Sequence, residues 1–321
     1  MVPEQVSSDV GAEKRVEGQQ IAHHQRKYFH PRPPMKNVSE LLTLLDLEAL
    51  EVNLFRGASR TVGSPRVFGG QVMAQALSAA MRTVPEDRFV HSFHGYFVLP
   101  GDLDIPIIFE VDRIRDGGSF TTRAVKAIQK GAAIFHLTAS FQLDQPGFDH
   151  QIEMPQVLPQ SELVSYDGMA KQFGDQLPKN IQRLLSIERP IEFKPVEFLN
   201  PFAHEKYEPV RNVWLRTKGE MPDDRRQNEL VLAYASDYNL LTTALFPHGK
   251  AIDHRNLQIA SLDHAMWFHR PFQADEWLLY SIDSPSASGA RGFTRGSIFS
   301  EDGKLVASVV QEGLMREVVK E

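Results

Sequence analysis

One acid sits inside the most apolar run of the C-terminal half of the chain. The stretch ELVLAYASDYNLLTTAL, residues 229–245, is apolar at nearly every position except around Asp237. A buried carboxylate is costly without partners, and acids kept in such surroundings cluster at active sites, where they act as bases or polarise water. On a continuous helix Asp237 would neighbour Ala233, Tyr234, Leu240 and Leu241. Ser236-Asp237 reads equally as a helix break, because Asp is favoured at helix ends. The residues alone leave a capped break and a functional acid evenly matched.

Other polar residues carry weaker signals. Gly69-Gly70-Gln71 opens an apolar, small-residue segment, and glycine there lets another group approach the backbone closely. His91 and His94 stand three apart in a strand-like run, and His264 and His269 five apart in another, so each pair splits across two faces. Both pairs read as structural or substrate-pocket residues rather than metal ligands. His23, His24 and His30 lie in a polar, proline-closed stretch and read as solvated. The nucleophile elbow G-x-S-x-G, the phosphate loop and G-x-G-x-x-G are all absent.

Composition narrows the field further. There is no cysteine, which excludes disulfides, cysteine metal sites and a cysteine nucleophile. The formal net charge is -6 with no long basic run, which argues against a nucleic-acid partner. No apolar run approaches the roughly 20 residues needed to span a bilayer, and no secretory apolar segment follows Met1. The expectation is a cytoplasmic protein with no membrane partner. With 321 residues, 42% of them hydrophobic, the chain is long enough for two cores.

The elements that must position Asp237 follow from periodicity. Residues 1–34 are expected to form a disordered or extended tail. SELLTLLDLEALEVNLFRG reads as one helix ending near Gly57, and RVFGGQVMAQALSAAMRTVP as a second, whose small residues suit a helix enclosed on all sides. Four strands follow at hairpin spacing: HSFHGYFVLP, DIPIIFEVDRIRD, SFTTRAVKAIQK and AIFHLTASFQL. The first unit is expected over 35–148. A proline-marked connection with a helix or two follows over 149–190. The pattern then repeats over 191–321: two strands, a helix across MPDDRRQNELVLAYASDYNLLTTAL, a loop FPHGKAIDHRN, and four more strands. His94, Pro100, Phe120 and Gly131 have counterparts His264, Pro271, Phe293 and Gly303, at offsets that agree within about three residues. The part of the first copy that matches the Asp237 region, AQALSAAM, holds no acid. The expected class is α+β, two tandem units each wrapping an antiparallel sheet around a central helix.

This is the plan of a tandem double hot-dog, and the resemblance becomes specific in sequence. RVFGGQVMAQAL, HSFHGYFVLPGD, RDGGSFTTRAVKAIQKG, YASDYNLL, DHAMWFHRPF, SASGARGF and VASVVQEGLMR resemble the TesB-like acyl-CoA thioesterase II family, in order, from about Lys36 to Arg316. The resemblance implies hydrolysis of acyl-CoA to free fatty acid and CoA, without a metal or nucleotide cofactor. It implies a catalytic set of Asp237, Ser261 and Gln311 holding the attacking water. Many relatives carry Thr where Ser261 stands. On their own, Ser261 and Gln311 would be ordinary polar strand residues. The chemistry then assigns backbone N–H groups at Gly69-Gly70-Gln71 as the oxyanion candidate, Arg291 as a candidate contact for the CoA phosphates, and Met73, Leu77 and Phe97 as acyl-tunnel lining. Hot-dog enzymes usually assemble through their sheets, so a homodimer or homotetramer is expected. Two rivals remain: a non-catalytic acyl-CoA-binding protein, and a hot-dog enoyl-CoA hydratase. The hydratase pattern pairs an Asp with a His five residues on, where this chain has Thr242.

Overall fold

The computed structural model describes residues 33–197, 199, 205–249 and 257–318. The tail expected over 1–34, with its three histidines, lies almost wholly outside them, as does most of the loop over 247–256. Five helices are described: α1 (Val38–Leu45), α2 (Gly69–Met81), α3 (Tyr166–Phe173), α4 (Lys179–Leu185) and α5 (Arg225–Ser236). The strands are β1 (Glu48–Glu51), β2 (Leu54–Gly57), β3 (Arg88–Phe97), β4 (Ile107–Asp116), β5 (Phe120–Gln129), β6 (Ala132–Leu143), β7 (Ile191–Pro195) and β8 (Val210–Thr217). They continue as β9 (Leu257–Ser261), β10 (Asp263–Phe268), β11 (Leu278–Ser288), β12 (Arg291–Ser300) and β13 (Leu305–Glu317).

The strands form one sheet in the order β1-β2-β4-β5-β6-β3-β10-β13-β12-β11-β8-β7, with β9 paired to the outer part of β13. Every pairing is antiparallel. The two halves join through β3 and β10, where His94 lies opposite Ala265. The sheet wraps α2 and α5. Every residue of α2 from Gly70 to Met81 is buried, so the small-residue surface does belong to an enclosed helix. The two helices approach so closely that a Cβ on Gly70 would lie 2.4 Å from the Tyr234 carbonyl oxygen, an approach only glycine permits. Asp224 caps α5, its carboxylate accepting from the N–H groups of Arg226 and Gln227.

Three segments differ from the sequence reading. The first helix stops at Leu45, and the residues read as its continuation form the β1–β2 hairpin. Asn53 takes a left-handed φ of 63° at the turn, and β2 hydrogen-bonds to β4, so sheet pairing overrides helical periodicity. The helix expected up to residue 245 ends at Ser236, and a run of 3₁₀ turns follows over Leu241–His248. The first of the four later strands divides into β9 and β10 around Leu262, which lets Ser261 reach β13 while β10 turns to β3. The proline-marked connection also does more than connect. Met154, Val157 and Leu163 cover Trp214, Trp277, Leu279 and Phe299 on the outer face of the second half, and Trp214 Nε1 donates to the Leu158 carbonyl at 3.0 Å.

Candidate active site

Asp237 stands at a helix end and is buried there. It is the C-cap residue of α5, and its side chain is 7% exposed. The chain turns away because Asn239 adopts a left-handed φ of 68°. Buried Arg211 holds that turn, its Nη1 donating to Asn239 Oδ1 at 3.0 Å and to Thr242 Oγ1 at 3.2 Å. The Tyr280 hydroxyl donates to the Ser236 carbonyl at 2.9 Å, so the last turn of the helix is tied to β11.

The carboxylate itself is gripped from two sides. Oδ2 accepts the Gly70 N–H at 2.8 Å, and Oδ1 accepts Gln311 Nε2 at 2.9 Å. The first of these places the acid on the positive end of α2. Gly69 leaves room for it, since a Cβ there would sit 2.7 Å from Oδ2 and 3.1 Å from the Phe97 ring. Burial pushes the Asp237 carboxyl above the ordinary carboxylate range, and the bonds from Gln311 and Gly70 pull it part of the way back. A carboxylate raised in this way is a better proton acceptor near neutral pH than an exposed one.

Gln311 lies in β13, 1% exposed. Its Nε2 also lies 3.2 Å from His264 Nδ1, and its Oε1 is buried with no partner among the described residues. His264 is fully buried, and desolvation lowers its imidazole to about 3, so it stays neutral. Its Nε2 lies 3.0 Å from Ser236 Oγ. Ser261 is placed on β9 opposite Gly313, diagonal to Gln311 on the face that meets Leu241. No hydrogen bond joins its hydroxyl to Asp237 or Gln311. Diagonal neighbours of this kind are about 7–8 Å apart, which leaves space for a small group between them.

The remaining sequence candidates are dispersed. The Gln71 N–H is taken by the Phe68 carbonyl, and its buried side chain accepts from the Arg60 N–H at 3.0 Å. Met73 and Leu77 are fully buried in the core against which the partly buried Phe97 packs. Arg291 is paired with Glu312 at 2.8 Å and lines a groove of about 330 Å³ with Lys206 and His248. His91 and His269 bond Ser140 and Ser308, and His94 meets the Trp267 ring edge-on. His264 is the residue whose importance the sequence understated. Its signals were its match to His94 in the repeat and its place in DHAMWFHRPF, and neither pointed to Gln311.

The first half has no such constellation. Gly131 and Gly303, at φ 77° and 82°, turn equivalent hairpins. Counting from them, Ala139 corresponds to Gln311, and strand register makes Phe93, which pairs with Ala139, the counterpart of His264, one residue off the sequence match of His264 with His94. Arg82, the C-cap of α2, corresponds to Asp237. All three polar groups are missing together.

A double hot-dog in which a buried acid at the end of one central helix meets the start of the other defines a class of acyl-thioester enzymes, and the comparisons agree with it. The acyl-CoA thioesterase family profile matches residues 181–314, and the profile of the acyl-CoA thioesterase N-terminal domain matches residues 57–142. Acyl-CoA thioesterase 2 of Haemophilus influenzae is 43% identical over 279 residues, covering 87% of this chain and 98% of that protein. The crystal structure of acyl-CoA thioesterase II TesB2 from Mycobacterium marinum superposes with a TM-score of 0.69 at 43% identity, covering 86% of this chain and 97% of that one. A hot-dog protein of unknown function from Alicyclobacillus acidocaldarius shares the fold at 20% identity and a TM-score of 0.68, over 86% and 97% of the two chains. This chain belongs to the acyl-CoA thioesterase family, in its TesB-like thioesterase II branch, and is a thioester hydrolase. No helix among the described residues is long and apolar enough to cross a membrane.

Proposed function

We propose that the enzyme hydrolyses acyl-CoA to a free fatty acid and CoA with water activated by Asp237 and oriented by Gln311 and Ser261. The observation that carries this is the buried carboxylate held by Gly70 and Gln311 while Gln311 Oε1 keeps an unused acceptor. A water placed between Asp237, Gln311 and Ser261 gives its proton to the carboxylate as its oxygen attacks the thioester carbon. The C–S bond then breaks, and the proton on Asp237 passes to the departing thiolate. Gly70 N–H is committed to Asp237 and Gln71 N–H to Phe68, so the oxyanion donor we assign at the start of α2 is the Gly69 N–H. Arg291, with Lys206 and His248, supplies positive charge for the CoA phosphates, and Met73, Leu77 and Phe97 line the acyl end.

The test is free-thiol release from palmitoyl-CoA and a short-chain acyl-CoA, with wild type and Asp237→Asn. The variant should lose about 10²–10⁴-fold in kcat while still binding substrate. Equal turnover by both would remove Asp237 from the chemistry. No turnover at any chain length would favour the binding-protein reading. Loss of enoyl-CoA absorbance without thiol release would favour the hydratase, against which Thr242 stands, bonded to the Asn239 carbonyl and Arg211. The cytoplasmic location, the homodimer or homotetramer and the unit boundaries at 35–148, 149–190 and 191–321 belong to the same reading. Cell fractionation, size-exclusion light scattering and limited proteolysis test them.

A further inference from the structure

We infer that His264 is a positioning residue that, with Ser236, sets which way round the Gln311 amide sits. The inference rests on the proposed roles of Asp237 and Gln311. The end of the amide that lies 2.9 Å from Asp237 Oδ1 also lies 3.2 Å from His264 Nδ1. An ionised carboxylate only accepts, so that end must be the NH₂ group, with one hydrogen for Asp237 and one for His264. His264 Nδ1 is therefore the bare nitrogen, and the ring proton is on Nε2. From there it points to Ser236 Oγ at 3.0 Å, and the Ser236 hydroxyl passes its own hydrogen to the Ala233 carbonyl at 2.9 Å.

Each group in this chain has one arrangement open to it. The helix carbonyl can only accept, so the serine donates to it and accepts from His264, whose other nitrogen accepts from Gln311. With burial keeping the ring neutral, it supplies an acceptor, not a second cation, beside Asp237. The consequence lies at the far end of the amide. Gln311 Oε1 is left buried and without a partner among the described residues. Were the amide reversed, its oxygen would oppose the carboxylate and its NH₂ group would replace the free acceptor. The first half shows the set is used as a unit, since Phe93 stands in place of His264 where Ala139 and Arg82 replace Gln311 and Asp237.

The test combines kinetics with the protonation of the ring. His264→Phe should lower kcat about ten- to a hundredfold, part of the roughly 10²–10⁴-fold a positioned base supplies, with KM changed little. His264→Asn offers an oxygen near the Nδ1 position and should recover most of the loss. In a Gln311→Ala background, His264→Phe should cost no more than about twofold, because its effect runs through the amide. The same factor in both backgrounds, or an unchanged kcat, would overturn the proposal. Asp237→Asn, run alongside, separates the failures: if it too keeps full activity, the water-activation reading falls, and if it loses activity while His264→Phe does not, only the positioning role falls. Should the Phe variant fold poorly, ¹⁵N resonances of the wild-type imidazole decide. Protonated Nε2 with bare Nδ1 is the expected result, and protonated Nδ1 would overturn the assignment.

Discussion

Glu229 offers a quantitative test of how this double hot-dog handles buried charge away from the acid site. It lies in the second turn of α5 and is 1% exposed. Arg225 Nε bonds its Oε1 at 2.9 Å, the Val90 N–H supports the carboxylate, and its Oε2 has no partner among the described residues. Burial outweighs these partners and pushes the carboxyl from 4.5 to about 7. A raised folded-state pKa means that the folded protein holds a proton the unfolded chain has released. The associated stability is complete below pH 4.5 and is gone once pH has risen through about 7. At 1.36 kcal/mol per unit, the loss is about 3 kcal/mol. Glu229→Gln cannot ionise and lacks this term. Arg225 keeps a partner in the variant, because Nη1 also bonds both Asp144 oxygens at 2.8 and 2.9 Å. The assay is urea unfolding of both proteins from pH 4.5 to 8.5 at fixed ionic strength and protein concentration. Contributions from Asp237 and the histidines are common to both and cancel. The variant should gain about 3 kcal/mol on wild type across the range, with thiol release at pH 7 unchanged. A stability difference that stays flat with pH would show that Glu229 ionises as freely folded as unfolded, and that burial carries no such penalty here.

Four more outcomes follow from the same geometry. Because burial raises the Asp237 carboxyl, its ionisation costs stability as pH rises through its folded pKa, so Asp237→Asn should melt at a higher temperature than wild type at pH 8 while being inactive. In wild type, kcat/KM should rise with pH through a value above the ordinary carboxylate range, and with His264 neutral down to about 3 that residue should add no step of its own. Gly70→Ala should destabilise by about 1–3 kcal/mol in chemical denaturation and also cut thiol release, since the Cβ would press on the Tyr234 carbonyl and draw the N–H away from Asp237. Arg291→Ala should raise KM for acyl-CoA but leave hydrolysis of a phosphate-free acyl thioester unchanged; equal effects on both would exclude a phosphate contact.

Much of the fold was legible in the chain because its signals are local. Alternating apolar strands, the small-residue run of α2, the aspartates before α5 and the paired glycine turns at Gly131 and Gly303 each state their role within a few residues. Asp237 stood out for the same reason: a charge in an apolar run is visible without a partner. What the chain did not disclose depends on distant contacts. Whether residues 48–57 continue a helix or pair as a hairpin was settled by β4, some sixty residues on, and the end of α5 by Arg211 and Tyr280. The site itself joins groups far apart in sequence, with Gly70 reaching Asp237 across 167 residues and Gln311 across 74. His264 looked like any strand histidine until folding put one ring nitrogen against Gln311 and the other against Ser236. The sequence by itself determined which groups were available and which elements would carry them. Which of them share a hydrogen, and so which carboxylate is held between Gly70 and Gln311, was decided by tertiary structure, because a hydrogen bond depends on position in space to a few tenths of an ångström and sequence spacing carries no such information.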